Sequence, residues 1–254
     1  GSPDEAYEGA IVLNPKCDSY LDDPVACVDY SSLYPSSMIS ENISHDSKVW
    51  TKEYDLDGNL IKEVAEKNEK GEYKYDNLPE YKYVDIEYDT YEWRKKNSSP
   101  GSAMEKVHIG TKTCRFAQFA EGKAIMPSIL EELLKARKDT RKMIPGEKDE
   151  FKKGVLEGLQ LGYKLSANSL YGQTGASTSA IFKQDVAAST TSTGRQMLML
   201  CSSFSKQYYG CDIVYGDTDS VFIKYKECKE DGKNLEGKER LRFSIQKSIN
   251  LQNE

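Results

Sequence analysis

Asp212-Ile213-Val214-Tyr215-Gly216-Asp217-Thr218-Asp219-Ser220-Val221-Phe222-Ile223 decides the fold: two β-rich runs close around a Gly-Asp-Thr-Asp turn, the pattern of an antiparallel hairpin. Asp217 and Asp219 stand two apart, so on extended chain both carboxylates leave from one side. Hard cations such as Mg²⁺ favour this oxygen-only setting, with substrate phosphates completing the coordination shell. Taken alone, an Asp-x-Asp in a turn is more often a solvated loop. A second carboxylate of the same kind lies far upstream. The apolar run Val25 to Val28 reads as a short buried strand with Asp29 at its exit, and Ser31-Ser32-Leu33-Tyr34-Pro35 follows as a turn or helix start.

Between these points the chain changes character twice. From Asp46 to His108 it is rich in Lys, Glu and Tyr, with Asp-Gly, Asn-Leu-Pro and Ser-Ser-Pro-Gly turns, and reads as an elaborated insertion. Within it Val84, Ile86 and Tyr88 alternate with Asp85, Glu87 and Asp89, which predicts one half-buried strand; a second is expected through Lys106 to Phe119. Tyrosines at alternate positions here read as half-buried sheet residues rather than as a base-stacking surface. From Pro127, Ile129, Leu130, Leu133, Leu134 and Ala136 follow helical spacing. Pro145-Gly146 breaks that helix, and a second pattern runs from Asp149 through Val155, Leu159 and Leu165 toward Leu170, so an antiparallel helical hairpin is expected. On it Arg137 and Arg141 lie one turn apart. Counted from the Pro145-Gly146 turn, Lys164 falls about 14 Å further along than Arg137. A Ser/Thr-rich stretch follows Gly175, then a helix is expected over Met197 to Phe204, and the charged tail from Lys226 ends in a helical pattern.

The 254 residues allow one large or two modest domains, and 38% hydrophobic residues with 18 glycines place the chain among ordinary globular proteins despite a mean hydropathy of -0.68. No apolar run approaches the roughly 18 residues of a membrane span, so no membrane partner is expected. A net charge of -6 argues against coating nucleic acid by bulk positive charge, without excluding a local basic cleft. The six cysteines form no CxxC pair and only two histidines accompany them, so free thiols in a reducing compartment and an intracellular location are expected. Asn42-Ile43-Ser44 and Asn97-Ser98-Ser99 match the glycosylation pattern by chance on this reading. The start at Gly-Ser-Pro-Asp-Glu, with neither initiator Met nor signal segment, reads as a piece of something longer.

Three stretches carry a family resemblance. Asp29-Tyr30-Ser31-Ser32-Leu33-Tyr34-Pro35-Ser36 resembles the first polymerase motif of the family B DNA polymerases. Lys164-Leu165-Ser166-Ala167-Asn168-Ser169-Leu170-Tyr171-Gly172 resembles the second, and Tyr215-Gly216-Asp217-Thr218-Asp219-Ser220 the third, in family order. Tyr7-Glu8-Gly9-Ala10 is similar to the element joining exonuclease and polymerase modules. The style is that of large DNA virus enzymes related to the replicative delta polymerase. The resemblance implies an α+β fold, a polymerase palm with an antiparallel sheet plus helical-hairpin fingers. It divides the chain into a first palm part over 1–45, an insertion over 46–114, fingers over 115–173 and a second palm part over 174–254.

The same resemblance implies template-directed DNA synthesis, nucleotidyl transfer from a dNTP to a primer 3′ hydroxyl by two Mg²⁺ ions, Mn²⁺ being able to substitute. Asp29 and Asp219 become the bridging metal ligands, the backbone carbonyl of Tyr30 a further one, and Asp217 a third catalytic carboxylate near the metals or primer. Arg137, Arg141 and Lys164 match the triphosphate-binding positions. Ser32 and Leu33 would offer backbone amides to the triphosphate, Tyr34 would exclude a ribose 2′ hydroxyl, and Asn168 would line the nucleotide pocket. Tyr171 and Gly172 would approach the nascent pair from the minor groove of the primer-template DNA. A processivity clamp is a further expected partner, through parts outside the chain. With no exonuclease module before Tyr7 and no thumb after the tail, the isolated chain is expected to show little processive synthesis. Two other classes stay open: a non-catalytic nucleic-acid or replication-factor binding fragment, and a metal-dependent glycosyltransferase using Asp217-Thr218-Asp219 alone.

Overall fold

The computed structural model describes residues 5–21, 23–225 and 237–253. The chain forms two compact units. One comprises 1–9 and 34–193, the other 10–33 and 194–254.

The smaller unit is built on a four-stranded antiparallel sheet. In chain order it contributes β2 (Val12–Leu13), β3 (Ala26–Asp29), β8 (Asp212–Asp217) and β9 (Ser220–Lys224), arranged β2-β8-β9-β3. The expected hairpin at Asp212–Ile223 is β8 and β9, and the run at Val25–Val28 is β3, shifted by one residue so that Asp29 itself pairs. Val28, Ile213, Val221 and Ile223 turn inward on alternate positions and meet Leu198, Tyr225 and Leu251. The first of these three lies on α4 (Gln184–Tyr209) and the last on α5 (Gly237–Asn253). The tail helix is therefore present, while the stretch 226–236, with Cys228, lies outside the described residues.

The larger unit holds a five-stranded antiparallel sheet in the order β1-β6-β7-β4-β5, formed by β1 (Glu5–Tyr7), β4 (Lys48–Asp55), β5 (Leu60–Ala65), β6 (Lys82–Lys95) and β7 (Met104–Gln118). The two strands expected in the insertion are β6 and β7; β1, β4 and β5 are additions. Ile86, Tyr88, Cys114 and Phe116 bury one sheet face against Met38 of α1 (Leu33–Ser40) and Met126 and Leu130 of α2 (Ile125–Met143). Ala167 of α3 (Glu150–Gly175) and Val186 and Ala188 of α4 close the same core. Gly110 lets β7 pass β4, because a Cβ there would lie 1.9 Å from the Tyr54 carbonyl oxygen.

The helical hairpin forms as expected: a 3₁₀ turn at Ile144–Gly146 separates α2 from α3. Asp149 caps α3 by accepting from the amides of Phe151 and Lys152. The start of α2 is capped from a distance. Asn42 Oδ1 accepts from the Ala124 amide at 2.8 Å, Ser44 Oγ from Met126, and Asp46 from Ile125. Asn42 is buried and its amide donates to the Ala117 carbonyl, so this part of the glycosylation-like triplet is occupied by structure.

One expectation needs correction. The Ser/Thr stretch before Met197 is helix, since α4 begins at Gln184. Buried Thr190, Thr191 and Thr193 donate to carbonyls of the preceding turn, which supplies the partner that helix-interior hydroxyls need. Ser192 reaches the Glu87 carbonyl at 2.7 Å and ties α4 to β6.

Candidate functional site

The carboxylates of the smaller unit are placed by strand register. β9 is central, with Asp29 of β3 and Asp217 of β8 both opposite Ser220, so the two acids flank one residue across the sheet. Adjacent strands lie about 4.8 Å apart, which puts these backbones on a single row. The turn then brings Asp219 back beside Asp29, because the Tyr30 amide donates to the Asp219 carbonyl at 2.8 Å.

The turn itself is tight. Thr218 has a left-handed φ of 55°, and its amide donates to the Ile11 carbonyl. Gly216 sits beneath β2, where a Cβ would come within 2.7 Å of Leu13 Cδ1. The Asp217 carboxylate is engaged by Thr218 Oγ1 at 2.9 Å and by the Tyr215 hydroxyl at 3.3 Å. The Asp29 side chain is exposed and makes no hydrogen bond among the described residues. Burial raises the Cys27 thiol pKa, and the nearby Asp29 and Asp219 raise it further, so one side chain feels both acids. Burial, reinforced by Cys201, pushes the Tyr30 hydroxyl up to about 12, and it donates to the Met197 carbonyl.

Among the described residues no group of three or more His, Cys, Asp and Glu side chains is poised to hold an ion. The donors available are Asp29, Asp219 and backbone carbonyl such as that of Tyr30, a hard-oxygen set suited to Mg²⁺ when further ligands come from substrate. The residues present fit such a cation, and the protonated Cys27 thiol offers no competing soft ligand.

Ser32 adopts a left-handed φ of 52° just before α1, with its hydroxyl oxygen buried and without a hydrogen-bond partner among the described residues. Leu33 is buried at the first position of α1.

The cations lie in the larger unit. Arg137 Nε donates to Gln160 Oε1 at 3.3 Å, which sets the register of α2 against α3. Lys164 is one turn beyond Gln160, about 6 Å along the axis. The 14 Å offset expected from the Pro-Gly turn is therefore corrected: the 3₁₀ turn and the residues up to the Asp149 cap shift the hairpin's midpoint toward α3. Burial lowers the Arg137 pKa and Arg141 lowers it further, as two neighbouring cations do. None of Arg137, Arg141 and Lys164 pairs with a carboxylate among the described residues.

Gln160, Lys164, Asn168 and Tyr171 follow at helical spacing on one side of α3. At the end of this row the Tyr171 ring stacks on Tyr34 of α1, centroids 4.6 Å apart and planes 30° from parallel. Both tyrosines were candidate residues, but nothing in the sequence pairs them. Gly172 is exposed, and a Cβ there would meet nothing within 4 Å. The fold itself does not require that glycine. Ile11, which holds the Asp217–Asp219 turn, was missed because it lies in no motif.

The model of DNA polymerase family B matches residues 1–250. The chain is 52% identical over 258 residues to the DNA polymerase of Phaeocystis pouchetii virus, covering 96% of this chain and 24% of that protein. It is 40% identical to the DNA polymerase of Pyramimonas orientalis virus, covering 96% of this chain and 22% of that one. It is 33% identical to the DNA polymerase delta catalytic subunit of Schizosaccharomyces pombe, with 87% of this chain and 17% of that protein covered. Among solved structures, the family B DNA polymerase of the hyperthermophilic archaeon Pyrobaculum calidifontis superposes with a TM-score of 0.53 and 26% identity, over 86% of this chain and 22% of that one. The chain thus spans about a quarter or less of the length of these relatives.

Proposed function

The chain belongs to DNA polymerase family B, and on that premise we propose that it carries nucleotide-binding and catalytic residues of template-directed DNA synthesis. The observation that carries this reading is the register that sets Asp29 and Asp217 opposite Ser220 and ties Tyr30 to Asp219. Asp29 and Asp219 hold divalent cations, with the Tyr30 carbonyl as an additional oxygen. Bound there, such ions lower the pKa of a primer 3′ hydroxyl and neutralise triphosphate charge. Asp217, whose carboxylate is oriented by Thr218 and Tyr215, stands beside them as a third catalytic carboxylate near the metals or primer.

Arg137, Arg141 and Lys164 receive the triphosphate, which their lack of carboxylate partners among the described residues supports. The smaller unit with its carboxylates is assigned to the palm, the α2–α3 hairpin to the fingers, and the strands over 46–114 to an insertion. Ser32 and Leu33 present the turn before α1 to the phosphates, and Asn168 lines the nucleotide pocket. Tyr34 excludes the ribose 2′ hydroxyl. Gly172, with open space around it, and Tyr171 accept the primer-template pair.

The test grafts residues 1–254 into the matching quarter of the Phaeocystis pouchetii virus polymerase and measures primer extension with Mg²⁺. Asp29→Asn and Asp219→Asn are each expected to reduce extension by at least about a thousandfold, in line with loss of the dominant electrostatic contribution. Lys164→Ala is expected mainly to raise the KM for dNTP. An Asp219→Asn graft that extends primers at an undiminished rate refutes the assignment.

A further inference from the structure

The β6–β7 hairpin extends past the rest of its sheet, and its distal half differs from the half that covers the core. A register shift at Thr90/Tyr91 changes the pairing, after which Tyr91 faces His108, Trp93 faces Lys106 and Lys95 faces Met104. These six side chains share one face of the ribbon. Glu92, Arg94 and Glu105 fall on the other, where Arg94 is bound by Glu92 at 2.8 Å. Among the described residues the shared face bears no carboxylate of its own; the contact with one is His108 to Asp89 at 3.3 Å.

The Trp93 and His108 rings are open to solvent, while Tyr91 is half-buried. Trp93 is 43% exposed and Met104 47%. Lys106 Nζ lies 4.3 Å from the Tyr91 ring centroid, anchored by the Tyr7 carbonyl, and Tyr91 lies against His108 at 5.3 Å. Lys95, Lys96 and Lys106 have no carboxylate partner among the described residues. A chain of net charge -6 thus presents, on one two-stranded ribbon, lysines without carboxylate partners among the described residues, interleaved with an exposed Trp93 and a half-buried Tyr91. Nothing in the motif-bearing sites uses these residues.

We propose that this ribbon face, Tyr91, Trp93 and Lys95 with Met104, Lys106 and His108, binds single-stranded DNA by stacking bases on Trp93 and Tyr91 and holding phosphates with the lysines. Charge complementarity favours a nucleic acid over a polypeptide, since an acid-free basic face repels no phosphate. Stacking favours unpaired bases, because only these offer a face to an exposed ring. The span from Tyr91 to Lys95 is about 13 Å at strand rise, room for a few nucleotides.

The chain contains its own probe. It has two tryptophans, and Trp50 is 5% exposed while Trp93 is open, so a ligand on the ribbon quenches one and spares the other. Titrating the chain at low salt with a short oligo(dT) is expected to quench tryptophan emission, and Trp93→Phe is expected to abolish the quenching. Lys95→Glu is expected to weaken binding at least about fivefold, and the logarithmic salt slope to lie near -1.4 to -2, as two or three phosphate contacts on a single strand require. A duplex of equal length is expected to quench less.

Oligo(dT) binding that leaves Trp93 emission unchanged and ignores Lys95→Glu overturns the proposal, as does absence of binding at low salt, which leaves the ribbon to a polypeptide partner. Equal quenching by duplex overturns the stacking. The readout needs neither metal nor dNTP, so it is independent of the polymerase assignment; Asp29→Asn is expected to leave it unchanged.

Discussion

Replacing Asp185 with asparagine removes the charge on which three groups of the larger unit converge. Asp185 accepts from Lys48 and Lys112, each at 2.8 Å, and from the Tyr88 hydroxyl at 3.2 Å, with its side chain only 14% exposed. Burial works against the Asp185 carboxylate, but Lys48 and Lys112 outweigh it and hold its pKa well below the usual carboxylate range. Burial likewise opposes the Lys112 ammonium, and Asp185 and Glu53 overcome this to bring it to about 12. Breaking a buried pair costs roughly 3–5 kcal/mol. Because Lys112 keeps Glu53 at 3.1 Å, Asp185→Asn is expected to fall at or just below the bottom of that range, about 2–3 kcal/mol at pH 7. That lowers the midpoint of thermal unfolding by about 4–12 °C for a unit of this size. Both tryptophans lie in this unit, so intrinsic fluorescence follows its unfolding without interference from the other. The pH dependence has a definite sign. A folded pKa below the unfolded value of about 3.9 gives stability that is complete above that value and is lost as pH falls toward the folded one. The gap between wild type and Asp185→Asn is therefore expected to shrink from pH 7 to pH 3. A difference under about 1 kcal/mol at pH 7, or one that stays constant on acidification, refutes this account.

Asn42→Ala leaves the Ala117 carbonyl and the Ala124 amide without their partner and puts alanine, which tolerates left-handed backbone less well than asparagine, at a φ of 50°; a loss of about 2–4 kcal/mol is expected in urea melts. Gly110→Ala drives a methyl into the Tyr54 carbonyl oxygen, and a loss of about 3 kcal/mol or more is expected, with faster amide exchange along the β4–β7 pairing. Asp149→Ala removes acceptors from two amides at the start of α3 and is expected to cost about 1 kcal/mol, measured by thermal melting, with Asp149→Asn losing less.

Legibility in the sequence followed the range of the interaction that decides each element. Alternation at Val84, Ile86 and Tyr88 and helical spacing from Pro127 are local patterns, and β6 and α2 stand where they point. The short β1 has no pattern to read, since its three residues become a strand only by pairing with Thr90 to Glu92. Lys48–Asp55 hides β4 behind charged residues, because Lys48 and Glu53 turn into ion pairs with Asp185 and Lys112 rather than into water. The Ser/Thr run of α4 misleads for a related reason: the hydroxyls of Thr190, Thr191, Ser192 and Thr193 find partners in the preceding turn and in the Glu87 and Glu8 carbonyls. The candidate site divides in the same way. Its acids and cations are written in contiguous motifs, while the Tyr34–Tyr171 stack and the Ile11 anchor of the turn depend on residues far apart in the chain.

The two sets of candidate residues are held by different physics, and this has consequences for how each fails. The acids depend on strand register: a one-residue slip of β3 against β9 would turn Asp29 to the other face of the sheet and Val28 out of the core. The hydrophobic cost of exposing Val28 therefore protects the position of Asp29, so the carboxylate is as secure as the core beneath it. The cations depend instead on the rotation of two helices. Ala167 and Leu130 are fully buried in the shared core, which fixes the side of α3 that carries Lys164 and the side of α2 that carries Arg137. Bulk at Ala167 is thus expected to disturb Lys164 and Arg137 together while leaving the Asp29–Ser220–Asp217 row in register, a separation that a sequence motif alone does not express.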